Sequence, residues 1–228
     1  MEFILFLLMA VTMLALMVVK FFKIAVAYVW VKGLASLFFI ATGISSYQKV
    51  KENKKYFIFI LAGLIFSFAG DVLLELRSII PASFIIGVGS FAFCHIMYSI
   101  GFCTLRKVTL KDIFICLAIA MPLILLQILG DFNFNSMKFI VMGYTILISF
   151  MVSKAISLRC YFKGNEKAVI MTIAGAVMFL VSDILLLFCF FGTVYYAALA
   201  YLNTIIYYSG QGILALSLGK NLILIDEK

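Results

Sequence analysis

Two carboxylates set deep in apolar sequence, Asp71 and Asp183, are the residues best suited to chemistry, and they lie 112 residues apart. The same shift lays Asn53, Lys55, Ala62, Gly63, Leu73 and Leu74 on Asn165, Lys167, Ala174, Gly175, Leu185 and Leu186. Both aspartates therefore sit in one pattern, Ala-Gly-x6-[Gly/Ser]-Asp-[Val/Ile]-Leu-Leu. A carboxylate in mid-membrane costs about 2.5 to 3.5 kcal/mol on insertion scales, so two in register point first to function. Close carboxyls share a proton and titrate jointly. One can then donate a proton while the other steadies positive charge and activates water, the division of labour in glycoside hydrolysis. The plainer reading is that each aspartate bonds a neighbouring helix, with Ala69, Gly70 and Ser182 allowing close packing.

Other polar residues interrupt apolar stretches. His95, the single histidine, shares a helical face with Phe91 and Tyr98 through steps of four and three. It is expected beside Asp71 on the preceding helix. Lys32 is the one basic residue inside a span, able to hold a phosphate or to reach the interface. Glu75 and Arg77 are read as a rim pair at the outer surface. Tyr207, Tyr208 and Gln211, with Asn203 a turn earlier, must turn inward in part. The candidate substrate contacts are Lys32, Glu75, His95, Tyr98, Tyr208 and Gln211. Cys94, Cys103, Cys116, Cys160 and Cys189 lack CxxC spacing and read as buried thiols, with no metal site indicated.

The elements that must carry these residues are transmembrane helices. Of 228 residues, 66% are hydrophobic and 12% charged, against about 45 to 50% and about 25% in soluble domains. Apolar runs of the length that crosses a bilayer fall near 3–19, 26–47, 56–76, 83–103, 112–129, 136–153, 168–190 and 195–218. The first, preceded by Glu2 and followed by no small-x-small site, reads as a retained helix rather than a signal peptide. Of 18 Lys and Arg, thirteen fall in loops on the N-terminal side, Lys154, Lys163 and Lys228 among them, and four on the other. That imbalance puts both termini in the cytoplasm. It also explains the net charge of +8 through anionic lipid, with no nucleic-acid partner needed.

The fold expected is all-α: a single transmembrane domain over 1–228, eight helices built as a parallel 4+4 repeat of about 1–110 and 111–228. Each aspartate then lies about 15 residues, or roughly 22 Å, beyond the cytoplasmic start of its helix. Both would stand at one depth, in the outer third of the bilayer.

Four motifs in order carry a family resemblance: Phe-Ala-Gly-Asp-Val-Leu-Leu at 68–74, Gly-Val-Gly-Ser-Phe-Ala-Phe-Cys-His-Ile-Met-Tyr at 87–98, Ser-Asp-Ile-Leu-Leu at 182–186 and Tyr-Tyr-x-x-Gln at 207–211. Together they resemble the YhhN-like lysoplasmalogenase family over nearly the whole chain. Members often carry Lys-Pro-Leu where this chain has Lys32-Gly33-Leu34, a departure bearing on local helix shape. The resemblance implies an eight-helix membrane hydrolase that cleaves the vinyl ether of lysoplasmalogens to a fatty aldehyde and a glycerophospho-alcohol. It also implies Asp71 and Asp183 as the catalytic pair, without metal or organic cofactor. The lysophospholipid would enter from the outer leaflet, its head group meeting Lys32, Arg77 or His95. Which aspartate is the acid, the head-group preference and the oligomeric state stay open. A proton-coupled transporter is the rival function and a non-catalytic lipid-binding scaffold the third. The Phe, Ile and Lys usage is read as bacterial, giving a multi-pass inner-membrane location.

Overall fold

The computed structural model describes residues 1–51, 53–160 and 166–220. Lys163, Asn165, Lys228 and the Cys160 side chain, on which expectations above rest, lie outside this description. Among the described residues there are eight α-helices: α1 Glu2–Phe21, α2 Ala25–Val50, α3 Lys54–Glu75, α4 Ala82–Leu105, α5 Leu110–Leu129, α6 Lys138–Ser157, α7 Glu166–Phe191 and α8 Ala197–Ser217. They match the eight apolar runs to within a few residues at each end. Unbroken helix satisfies every backbone group internally, which hydrocarbon demands. Pro122 inside α5 is an exception, since it has no N–H for the carbonyl four residues back, and a bundle tolerates it where neighbouring groups can re-satisfy that carbonyl.

Seven helices, α1 to α7, are long and apolar enough to cross a membrane, as in a multi-pass membrane protein. Helix α8 has the length, 21 residues, but is less apolar. Its polar residues are held inside the bundle instead, with Tyr207, Tyr208 and Gln211 all buried. Large apolar side chains such as Leu14, Trp30, Phe114 and Phe139 cover the outside, reversing the soluble-protein pattern.

Sequential helices pair as α1–α2, α3–α4, α5–α6 and α7–α8. Further contacts α2–α3, α4–α6, α6–α7 and α8–α2 close α2, α3, α4, α6, α7 and α8 into a ring. Helix α5 flanks the ring on α6, and α1 flanks it on α2 and α8. The glycines of the repeated motif allow close approaches between helices. A Cβ on Gly63 would stand 2.2 Å from the Tyr98 ring, and one on Gly175 would stand 2.9 Å from the Gly210 carbonyl oxygen.

Lys154 corrects one charge assignment. It lies in the last turn of α6, not in a loop, and is wholly buried. Its Nζ is 3.0 Å from Asp112 Oδ2 and donates to the carbonyls of Arg106 and Lys107. Ser157 also donates to Asp112. Asp112 in turn accepts the Thr109 N–H at the start of α5, at 2.8 Å. The ammonium thus satisfies the end of α4 while holding α6 against the start of α5, and the burial of both charges is offset by this dense bonding.

Candidate active site

Helix α3 presents Asp71 to the bundle interior with 2% of its side chain exposed. Oδ2 accepts Ser36 Oγ of α2 at 2.6 Å and Tyr207 OH of α8 at 2.7 Å. Lys32 Nζ of α2 lies 3.5 Å from Oδ1 and 2.8 Å from Glu75 Oε1. Behind Tyr207 runs a directed chain: Tyr98 OH donates to Gln211 Oε1 at 2.7 Å, and Gln211 Nε2 donates to Ser67 Oγ at 2.7 Å. Ser67 Oγ then meets Tyr207 OH at 2.8 Å. With Tyr207 donating to the carboxylate, every donor in the series finds an acceptor, so the chain ends by fixing Asp71.

Asp183 on α7 lives differently. Tyr144 OH of α6 donates to its Oδ2 at 2.6 Å, and His95 Nε2 of α4 lies 3.3 Å from the same oxygen and 2.8 Å from Tyr144 OH. No donor among the described residues reaches Oδ1. Asp183 is also more accessible than Asp71, at 12%.

The partners obey the repeat shift. Lys32 and Tyr144 are 112 residues apart, as are Tyr207 and His95 with the order reversed. Each aspartate thus meets one of these residues from the helix before its own (Lys32 of α2, Tyr144 of α6) and one from a more distant helix (Tyr207 of α8, His95 of α4), and Asp71 has Ser36 of α2 in addition.

Two cavities flank these carboxylates. One, of about 430 Å³, is lined by Lys20, Lys23, Lys32, Asp71, Glu75, Arg77, Asp183, Asn203 and Tyr208 among others. It lies at the end of the bundle where α1, α3 and α7 finish and α2 and α8 begin. The second, an apolar slot of about 80 Å³ among α4, α5, α6 and α7, reaches Asp183 and Tyr144 from the other side. Leu74, Phe91, Asp183, Leu186 and Phe190 line both. Asp183 is the one ionisable residue among those five.

Several expectations change here. His95 stands with Asp183 rather than Asp71, because α4 packs against α6 as well as α3. It is fully buried and absent from the walls of both cavities, so it cannot meet a head group there. Tyr98 and Gln211 likewise stand behind Asp71 and not in a cavity wall. Glu75 does pair with Arg77, at 3.8 Å, but its closer partner is Lys32. Lys32 is therefore held between two carboxylates instead of reaching out to the interface. Tyr208 lines the polar cavity and touches Ser36 at 3.3 Å.

Tyr144, Ser36 and Ser67 escaped sequence reasoning, and Tyr207 was not tied to an aspartate. A signal existed for two of them: the repeat shift that pairs the aspartates also carries Lys32 onto Tyr144 and His95 onto Tyr207. The serines carried none, since a helical serine can satisfy itself on the preceding turn, as Ser36 also does on Lys32 O at 3.0 Å.

No curated protein and no solved structure matches the chain. A family model described as the YhhN family matches residues 3–218. The ordered motifs, the interior aspartates and this near-complete match agree, and the chain belongs to the YhhN family.

Proposed function

We propose that the protein is a membrane-embedded hydrolase that cleaves the vinyl ether of a lysoplasmalogen, releasing a fatty aldehyde and a glycerophospho-alcohol. YhhN membership carries an association with that activity. The observation that carries the reading furthest is the meeting of a polar, basic cavity and an apolar slot at Asp183. An amphiphile whose scissile bond joins head to chain suits that junction.

Cleavage begins with a proton delivered to the alkene carbon distal to the ether oxygen, leaving an oxocarbenium ion. Water adds to the carbon bearing oxygen, its proton returns to the carboxyl pair, and the hemiacetal collapses to aldehyde and alcohol. We assign the proton donor to Asp183, whose Oδ1 receives no donor among the described residues and which lines both cavities. Asp71 accepts two hydroxyl donors and faces the Lys32 ammonium, a setting suited to a carboxylate that steadies the cation and takes the water proton. Tyr208 adds a hydroxyl to the same cavity wall. Lys32 and Glu75 hold the carboxylate in place, and Tyr98 and Gln211 position it through Ser67 and Tyr207.

The parallel repeat belongs to the same proposal. Moving four helices along the chain carries α1–α2 onto α5–α6, α2–α3 onto α6–α7, α3–α4 onto α7–α8 and α2–α8 onto α6–α4, all of them contacts of the bundle. With both termini cytoplasmic, the polar cavity opens toward the outer leaflet. The lysophospholipid would arrive there. Carriers built on repeats use interrupted helices at the site, whereas α3 and α7 run unbroken through Asp71 and Asp183.

The test is aldehyde release from choline and ethanolamine lysoplasmalogens by purified protein. Wild type should turn over, while folded Asp71→Asn and Asp183→Asn proteins should fall by about a hundredfold or more. Turnover by both variants at the wild-type rate removes the aspartates from the reaction.

A further inference from the structure

The repeat shift relates more than the aspartates: it lays one cavity on the other. Val29, Ala200 and Ile79 of the polar cavity correspond to Val141, Val88 and Phe191 of the apolar slot, and Leu74 corresponds to Leu186. The remaining matched positions have diverged in one direction. Lys32, Glu75, Ser78 and Asn203 on the polar side stand where the slot has Tyr144, Leu187, Phe190 and Phe91. Matched positions thus line one charged and one apolar cavity, with Asp71 in the charged one and Asp183 in both.

From this we infer that the two cavities are complementary subsites for a single-chain phospholipid, the polar one taking the phosphate head and the slot taking the first carbons of the chain. The inference rests on the proposed reaction for its choice of substrate. Charge supports the head-group side. Lys20, Lys23 and Arg77 ring the mouth, and the nearest acid, Glu75, is already engaged by Lys32. Lys20 is held by Ala200 O at 2.9 Å, and Arg77 lies over the Phe190 ring at 4.9 Å. These cations are oriented before any ligand arrives, which lowers the ordering cost of binding.

The slot fits a chain for separate reasons. Its loop end is packed by Phe134 on Phe191, ring centroids 5.2 Å apart, with Val141 and Leu187 in the same cluster. Its deep end is formed by Leu123, Ile148 and Leu180, one turn or more beyond Gln127 and Asp183 toward mid-membrane. A chain entering past Asp183 is therefore turned away from the loops and toward the bilayer centre. The carbon at the ether bond lies beside Asp183, and the carbons that follow lie against Leu123 and Ile148. Leu123 sets how much chain the slot accepts.

Binding of two non-cleavable series to the protein in lipid nanodiscs tests this: saturated alkyl-glycerophosphocholines of several chain lengths and the matching alkylglycerols without phosphate. Wild type should bind the phosphate series more tightly. Lys20→Gln with Lys23→Gln should collapse that ratio by about tenfold at every chain length. Leu123→Phe, at a partly exposed and tolerant position, should weaken long chains about tenfold relative to short ones and leave the head-group ratio alone. Variants that move head and chain preference together, or neither, overturn the two-subsite inference. Aldehyde release from a lysoplasmalogen is read in parallel. The expected binding split without aldehyde upholds the subsites and removes the hydrolase, whereas aldehyde without the split does the opposite.

Discussion

Asp71 and Asp183 occupy matching positions on α3 and α7, yet their surroundings have little in common. Asp71 is sealed by two hydroxyl donors, a lysine and a chain of three further side chains. Asp183 has a tyrosine and a histidine on one oxygen, and it borders both cavities. Equivalent backbone positions with unlike partners are how one fold assigns different roles to like carboxyls. Under the proposed reaction the tightly bonded Asp71 would supply a fixed charge, and Asp183, whose Oδ1 meets no donor among the described residues, would supply the group that moves.

That contrast can be broken in order of expected effect. Asp183→Asn keeps the shape and removes the transferable proton, so kcat should fall by about 10²- to 10⁴-fold, the span of general acid catalysis. Asp71→Asn should cost less in kcat, which a steady-state comparison of the two folded proteins decides. Lys32→Met comes next. It strands Asp71 and Glu75 without their shared cation and should destabilise by about 3 to 5 kcal/mol, read from thermal unfolding in detergent. Tyr144→Met, its counterpart in the repeat, removes no charge and should leave stability much nearer wild type. If the two fall equally, the electrostatic difference between the halves is wrong.

Smaller effects sharpen the same comparison. Gly63→Ala drives a methyl into the Tyr98 ring and should cost about 1 to 3 kcal/mol, loosening the chain behind Asp71. Chemical denaturation gives the figure. Tyr207→Phe and Tyr144→Phe each delete a donor to one aspartate, worth about 1.5 kcal/mol for a bond to a charged group. The first should appear mainly in stability, because Ser67 also loses its partner. The second should appear mainly in kcat, because Tyr144 donates to the carboxyl proposed to deliver the proton, although His95 loses its contact with that hydroxyl as well.

The sequence makes the helices legible because apolar length alone dictates them, and it marks Asp71, Asp183 and Lys32 because charge inside such helices is rare. It does not reveal who partners whom. His95 was expected with Asp71 on the helix before it, but closure of the ring brings α4 to α6, where Tyr144 and Asp183 meet the imidazole. Lys154 was counted among exposed loop charges although α6 extends to Ser157 and buries it against Asp112. Hydropathy cannot distinguish a lysine that ends a helix in water from one that caps the neighbouring helix. Ser36 and Ser67 are ordinary helical residues until a carboxylate or a tyrosine from across the bundle reaches them.

The central claim is hydrolysis begun by protonating carbon, and an isotope reads it directly. Purified wild-type protein is given a lysoplasmalogen in deuterium oxide, and the aldehyde is analysed by mass spectrometry as soon as it forms. The account predicts aldehyde carrying one deuterium on the carbon next to the carbonyl. Aldehyde without that deuterium, or no aldehyde from a folded protein, contradicts it.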